Sequence, residues 1–171
     1  MLHRSAKITH GERILVHGAA GGVGTALVQL GKEACLEMYG TASRERYTTL
    51  VSGLGATPID HSGENFVERI RDLTGSGVGA VFDGIGRKNL TLSYSAMRRG
   101  GEGGRLISFC FIEAFKSDKG IEIPLSFARL FLLTIFPGGK MALFYGDTPS
   151  FVAKANAWYR EALAALLKMH A

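Results

Sequence analysis

The residues best placed to do chemistry in this chain are glycines. Gly18, Gly21, Gly22 and Gly24 crowd into GAAGGVG, between an apolar run, Arg13–His17, and an amphipathic stretch, Gly22–Cys35. In a strand–turn–helix, one glycine permits a tight turn. A second lets the backbone approach a diphosphate, and a third lets helix and strand pack closely. The diphosphate then rests on the helix N-terminus, where free N–H groups and the dipole favour negative charge. Ala19-Ala20-Gly21-Gly22-Val23-Gly24 fits GxGxxG with Ala19 in the first glycine slot. Its position after a strand and before a helix is what makes that pattern specific for a dinucleotide. A purely structural turn needs no such density of glycine.

The same letters also read as GxxxGxG, from Gly18 through Gly22 to Gly24, which resembles the short-chain dehydrogenase turn. That chemistry needs a Tyr followed four residues later by Lys. Tyr39, Tyr47, Tyr94, Tyr145 and Tyr159 all lack it, Tyr94 coming nearest with Arg98. The short-chain reading therefore fails on catalysis. No Ser/His/Asp, Cys/His or paired-carboxylate arrangement offers another mechanism, and His10 and His17 read as strand-flanking polar residues. Cys35 and Cys110 lie far apart in apolar surroundings without CxxC or Cys/His ligand spacing. Neither a metal site nor a disulfide framework is expected, and free thiols suit a reducing, cytoplasmic compartment. No catalytic residue is assigned.

After the second strand an NAD enzyme usually offers Asp or Glu to the ribose hydroxyls. Here the chain reads Gly40-Thr41-Ala42-Ser43-Arg44-Glu45-Arg46-Tyr47. Hydroxyls and guanidinium groups at a strand end suit a 2′-phosphate, because Arg is a planar multi-donor fork that matches phosphate oxygens. Ser43 as a helix N-cap, with Glu45 in the first turn, fits the same letters. The expected cofactor is NADPH rather than NADH.

These residues are positioned by short apolar runs alternating with helical segments. Strands are predicted at Arg13–His17, Glu37–Thr41, Thr57–Ile59, Val78–Asp83, Gly104–Cys110 and Lys140–Tyr145. Helices are predicted at Gly22–Cys35, Arg44–Gly53, Gly63–Leu73, Lys88–Arg98, Pro124–Phe136 and Pro149–His170. Such alternation implies βαβ units. The fold class expected is α/β, a doubly wound parallel six-stranded sheet with helices on both faces. At 171 residues the chain is the length of one domain, 1–171, able to bury a core. The net charge of +5 comes from scattered Lys and Arg without a run of five, so no nucleic-acid partner is inferred. The N-terminus has no signal-peptide core. The most apolar segment, IPLSFARLFLLTIF at Ile123–Phe136, is too short to span a bilayer and carries Arg129.

GERILVHGAAGGVGTALVQLGK, GTAS, LGATPIDH, ENFVERIRDLTGSGVGAVFDGIG, GGRLISF and the late ALFYG resemble the medium-chain dehydrogenase/reductase superfamily, in its zinc-independent quinone oxidoreductase branch. The similarity runs from about Ala6 to the end, with separate motifs in the right order. It implies a Rossmann-type domain and, in the family, a separate GroES-like catalytic domain. It also implies hydride transfer from NADPH to a quinone or enone-type acceptor. Carried over, Ala19 to Gly24, opened by Gly18, hold the diphosphate, and Ser43 meets the 2′-phosphate. The family's lysine near that helix start falls at Arg46 or Tyr47, and Arg46, helped by Arg44, is the substitute. His61 stands where the family often has Tyr. Asp83-Gly84-Ile85-Gly86 matches the motif beside the nicotinamide ribose. Phe109, Cys110 and Phe111 match the strand end at the nicotinamide, with Cys110 where the family usually has Gly. Arg99–Gly104 is longer than the family's turn and reads as a loop insertion.

No stretch here reads as the GroES-like domain. Met1 is then an internal methionine or an engineered start, and the chain is expected to bind NADPH with little turnover alone. The alternative is a stand-alone module that senses the nucleotide without catalysis. Ile123–Phe136 covers the core, edges the acceptor cleft, or meets the missing domain. The edge strand Lys140–Tyr145 is expected to form a homodimer, as the family's edge strand does.

Overall fold

Runs of four to six residues become strands here because turn residues bound them, and the central strands β1, β4 and β5 are buried on both faces. The computed structural model describes residues 1–43, 47–99, 103–115, 120–135 and 139–146, with residues 160 and 164. Within it lie β1 (Arg13–Val16), β2 (Glu37–Ala42), β3 (Thr57–Asp60), β4 (Ala80–Asp83), β5 (Arg105–Ser108) and β6 (Met141–Phe144). They form one six-stranded sheet in the order β3-β2-β1-β4-β5-β6. Every pairing is parallel, and Val16 stands between Gly40 and Phe82 in register.

Side-chain alternation along each strand sorts two cores. Leu15, Val81 and Leu106 face one way. There they meet α2 (Phe66–Thr74), α3 (Lys88–Ala96) and α5 (Glu122–Ile135) through Phe66, Ile70, Leu90 and Leu130. Ile14, Val16, Ala80, Phe82 and Ile107 face the other way, against Leu27 and Val28 of α1 (Gly22–Glu33) and against Leu2 and Ala6. The expected doubly wound α/β sheet, with helices on both faces, is what forms.

Helix ends follow local chemistry. Asn65 caps α2, its side chain accepting the Val67 amide at 3.1 Å, and Gly75 closes it in the left-handed region at φ +71°. That cap moves the start of α2 to Phe66, past the expected Gly63. The Lys88–Arg98 expectation ends early, at Ala96, because Met97 turns extended and bridges to Val78. The segment expected as a helix over Arg44–Gly53 has one wide π-helical turn at Tyr47–Val51, and 44–46 lie outside the described residues. A short helix that the sequence reading missed, α4 (Ile112–Phe115), follows β5. The predicted Pro149–His170 helix lies outside the described residues except at 160 and 164, and positions 100–102 of the expected insertion lie outside them too. Among the described residues no helix is long and apolar enough to cross a membrane.

One contact fixes the distance between the first turn and the sheet. A Cβ on Gly40 of β2 would stand 2.6 Å from the Ala19 methyl and 2.9 Å from Val51 Cγ1. Neither neighbour is a flexible chain end, so room for Ala19 depends on glycine at position 40. Gly40→Ala is expected to lower the unfolding free energy by about 1–3 kcal/mol, as overpacking does, read from urea denaturation. An unchanged midpoint would show that this contact is loose.

Candidate functional site

The strand order reverses between β1 and β4, and connections leave them to opposite faces, so a crevice opens beyond their C-terminal ends. A cleft of about 460 Å³ occupies that crevice. Its floor is the glycine turn. One side carries Thr41, Ala42, Ser43 and His61; the other carries Gly84, Ile85, Phe109 and Ile112.

The turn's geometry is set by backbone bonds. Gly18 sits at φ +65°, a left-handed conformation that favours glycine. The Ala19 amide donates to the Thr41 carbonyl at 2.9 Å, and the Gly21 amide donates to the Gly18 carbonyl at 2.8 Å. Gly21 is the N-cap of α1 in extended conformation, with no side chain capping the helix. The amide donors of the first turn are thus left to whatever occupies the cleft. A Cβ at Gly24 would collide with the Gly18 carbonyl and the Ala19 backbone, so close packing of turn on helix requires glycine there. At Gly22 a Cβ would meet nothing within 4 Å. The protein makes no packing demand for glycine at 22, and the space it leaves belongs to the cleft.

From His17 and Thr41, which line the cleft, a set of polar contacts runs into the interior. His17 is 3% exposed; its Nδ1 lies 3.0 Å from Thr41 Oγ1, and its Nε2 lies 3.0 Å from Ser93 Oγ. The Thr41 hydroxyl oxygen also accepts the Gly18 amide at 3.2 Å. Asp83 Oδ2 accepts from Ser93 Oγ at 2.7 Å and from Asn89 Nδ2 at 2.9 Å. Its Oδ1 accepts the amides of Ile85 at 2.8 Å and Gly86 at 3.0 Å, shaping the turn after β4. Burial pushes the His17 imidazole below its ordinary value of 6.5; Asp83 acts in the opposite direction and His61 adds to the depression. His61 Nδ1 lies 2.9 Å from the Ala42 carbonyl, which can only accept, so Nδ1 donates there.

The expected site residues fall into three groups. Gly18, Ala20, Gly21, Gly22, Val23, Gly24, Ser43, His61, Gly84 and Phe109 come together around the cleft. Phe109 lies across Gly84, where a Cβ would be 2.7 Å from its ring. Ala19, Asp83 and Phe111 support the site from below. Ala19 is buried against β2 and Asp83 holds the β4 turn. The Phe111 ring packs edge-on to Phe127 at 4.9 Å rather than facing the cleft. Cys110 is half-buried beside the site without lining it. Arg44 and Arg46 lie outside the described residues. The sequence reading gave His17 only a bland role, took Thr41 only as one of the hydroxyls at the end of β2, and passed over Ser93, Asn89 and Ile112. The available signal was Asn89 and Ser93, polar at helical spacing on a face that meets the sheet.

The family described as zinc-binding dehydrogenase matches residues 22–126. Over 100 residues the chain is 34% identical to a 2-haloacrylate reductase of a Burkholderia species, covering 57% of this chain and 30% of that protein. Over 102 residues it is 35% identical to the quinone oxidoreductase of Rattus norvegicus, covering 58% and 31%. The chain thus spans under a third of the length of these two relatives. A mycobacterial protein solved in complex with NADPH superposes with a TM-score of 0.57 at 30% identity, covering 64% of this chain and 34% of that one. Among the described residues no group of three His, Cys, Asp or Glu side chains is placed to hold a metal ion. The zinc in the family's name therefore finds no fitting donor set among them, and no step below involves it.

The depressed His17 value has a consequence for stability. Below pH 6.5 the unfolded chain binds a proton at this ring that the folded protein refuses. Stability from this group is complete above that pH and declines as pH falls, until the folded ring itself titrates. Unfolding free energies from urea denaturation, from pH 7.5 down to 5, are expected to fall more steeply for the natural chain than for His17→Gln, by up to about 1.4 kcal/mol per pH unit. Equal slopes would mean that position 17 takes no part.

Proposed function

The chain belongs to the zinc-binding dehydrogenase family, and from that premise we propose that it is the NADPH-holding domain of a quinone oxidoreductase-like enzyme. The reaction is hydride transfer to a quinone or enone-type acceptor. The observation that carries this reading is the uncapped N-terminus of α1 at the floor of a cleft whose two sides differ in chemistry. Its amides and the space above Gly22 fit a diphosphate. Ser43 and His61 lie on the side where a 2′-phosphorylated ribose belongs, and Arg44 and Arg46 follow in sequence. Gly84, Ile85, Phe109 and Ile112 make the other side apolar, which suits a nicotinamide ring. Support comes from the NADPH complex of the mycobacterial protein and from the two reductases among the relatives.

When bound, NADPH supplies the hydride. This chain's residues hold and orient it: α1 binds the diphosphate, Asp83 fixes the β4 turn against the ribose, and Phe109 backs the ring. Hydride transfer needs the acceptor held in contact with the nicotinamide and shielded from water. In our reading the wall that does so belongs to a catalytic domain outside these 171 residues, so this chain alone binds cofactor with little turnover. A cytoplasmic setting goes with this reading.

Calorimetric titration tests the cofactor. NADPH is expected to bind at least about tenfold more tightly than NADH, and Ser43→Ala or Arg46→Asp should weaken NADPH while leaving NADH unchanged. Equal binding of the two nucleotides, or an equal effect of the substitutions on both, would remove the 2′-phosphate role.

The assembly proposed is a homodimer through β6. Among the described residues that strand ends the sheet beyond β5 and exposes Met141 and Phe144, while α5 beside it exposes Phe127, Phe131, Leu132 and Ile135. An unpaired edge flanked by apolar surface is adhesive. Sedimentation velocity should show a dimer that Ala142→Pro, on the edge strand, converts to monomer. A monomer at every concentration would reject this assembly.

A further inference from the structure

The cofactor reading uses the glycine turn and the β4 turn but leaves the buried polar side chains between them unexplained. Their hydrogen-bond directions can be read one at a time. The Gly18 amide can only donate, so Thr41 Oγ1 accepts it. At the far end Asp83, as a carboxylate, has no proton to give. It takes two amides on Oδ1, and the Asn89 amide and the Ser93 hydroxyl on Oδ2. With its one proton committed to Asp83, Ser93 Oγ offers His17 only lone pairs, so Nε2 of His17 carries the ring proton. A neutral ring then has a bare Nδ1, which accepts the Thr41 hydroxyl. Every group is satisfied in one direction, from Gly18 through Thr41, His17 and Ser93 to Asp83. Reversing any link sets two donors or two lone-pair faces against each other in a dry interior, where an unmade bond is costly.

The ring is also fixed as a body. Phe66 of α2 meets it edge-on, centroids 4.7 Å apart. The charged or titratable groups bearing on it are Asp83 from β4 and His61 from beyond β3. The chain of bonds thus crosses the switch point, from the residue that opens the glycine turn to the carboxylate that shapes the β4 turn.

We propose that His17, held as the neutral Nε2–H tautomer, is a positioning residue that couples the glycine turn to the β4 turn, setting the two ends of the cleft together. This rests on the cofactor reading, since those turns are the ones that would hold the diphosphate and the nicotinamide ribose. His17 lines the cleft, and the role assigned to it is positional.

The test uses the full chain labelled with ¹⁵N. Long-range ¹H–¹⁵N spectra at pH 7.5 should show the His17 ring as the Nε2–H tautomer; an Nδ1–H tautomer or an imidazolium would overturn the proposal without any variant. Ser93→Ala removes the middle of the relay at a fully buried position that does not line the cleft. It should raise the Nδ1–H population, shift the Gly18 amide at the opposite end, and weaken NADPH about tenfold. Ser93→Cys, which keeps the side chain's shape but has only a weak donor and acceptor, makes the same test if the alanine variant does not fold. An unchanged tautomer and Gly18 amide would sink the coupling, as would unaltered NADPH affinity in a variant whose relay is broken. Failure of the natural chain to bind NADPH would reject the cofactor reading, while tautomer and amide shifts would still decide whether the two turns are coupled.

Discussion

Ala19 lies with its methyl in the space where Gly40 has no side chain, while its amide is bonded to the carbonyl of Thr41. That contact lays the first turn directly on β2, and the rest of the site depends on it. With the turn held there, Gly18 must adopt φ +65° for the chain to re-enter α1, and Gly24 must pass against the Gly18 carbonyl. The N-terminus of α1 is left aimed across the switch point, where no side chain competes for its amides. A ligand site made this way is largely preformed, because backbone geometry rather than side-chain choice creates it.

Placing a histidine, a serine and an aspartate beneath that turn runs against the logic of a sheet buried on both faces. Each would cost free energy if unpaired, and each has a partner. An apolar substitute would pack at least as well and could stabilise the fold. What an apolar residue cannot do is bond to a backbone amide at one end and order a carboxylate at the other. The network adds a directional side-chain constraint between two turns whose strands, β1 and β4, are paired only as far as Val16–Phe82 and the His17 amide.

The sequence made the fold legible to different depths for physical reasons. Strand positions were readable because a parallel sheet buries both faces, so runs such as RILV and AVFD stand out as continuous apolar segments. Helix boundaries were less so. Asn65 trims α2 by capping it at a position that periodicity alone passes over, and Met97 leaves α3 to bridge Val78. The glycine turn was legible because its residue types are demanded by geometry. His17 was not, since its role depends on Thr41, 24 positions away, and Ser93, 76 positions away. Phe111 shows the limit of a motif: its position speaks for the backbone at the end of β5, while the direction of its ring, against Phe127 and Phe144, is set by packing that the motif does not encode.

Polarity within the cleft also fixes which way round a dinucleotide would lie. Donors and hydroxyls sit at the ends of β1 and β2, through the α1 amides, Thr41 and Ser43, while the β4 and β5 ends offer Ile85, Phe109 and Ile112. Reversing the ligand would set a phosphorylated ribose against aromatic and aliphatic carbon and leave its charge without donors, a heavy desolvation cost. Orientation is therefore decided by the half that does no chemistry. A phosphorylated ribose would find backbone donors and hydroxyls at one end, and an aromatic ring would find shape and dryness at the other. On the apolar side Ile112 is both part of the cleft wall and exposed, and Phe115, one turn further along α4, is exposed too.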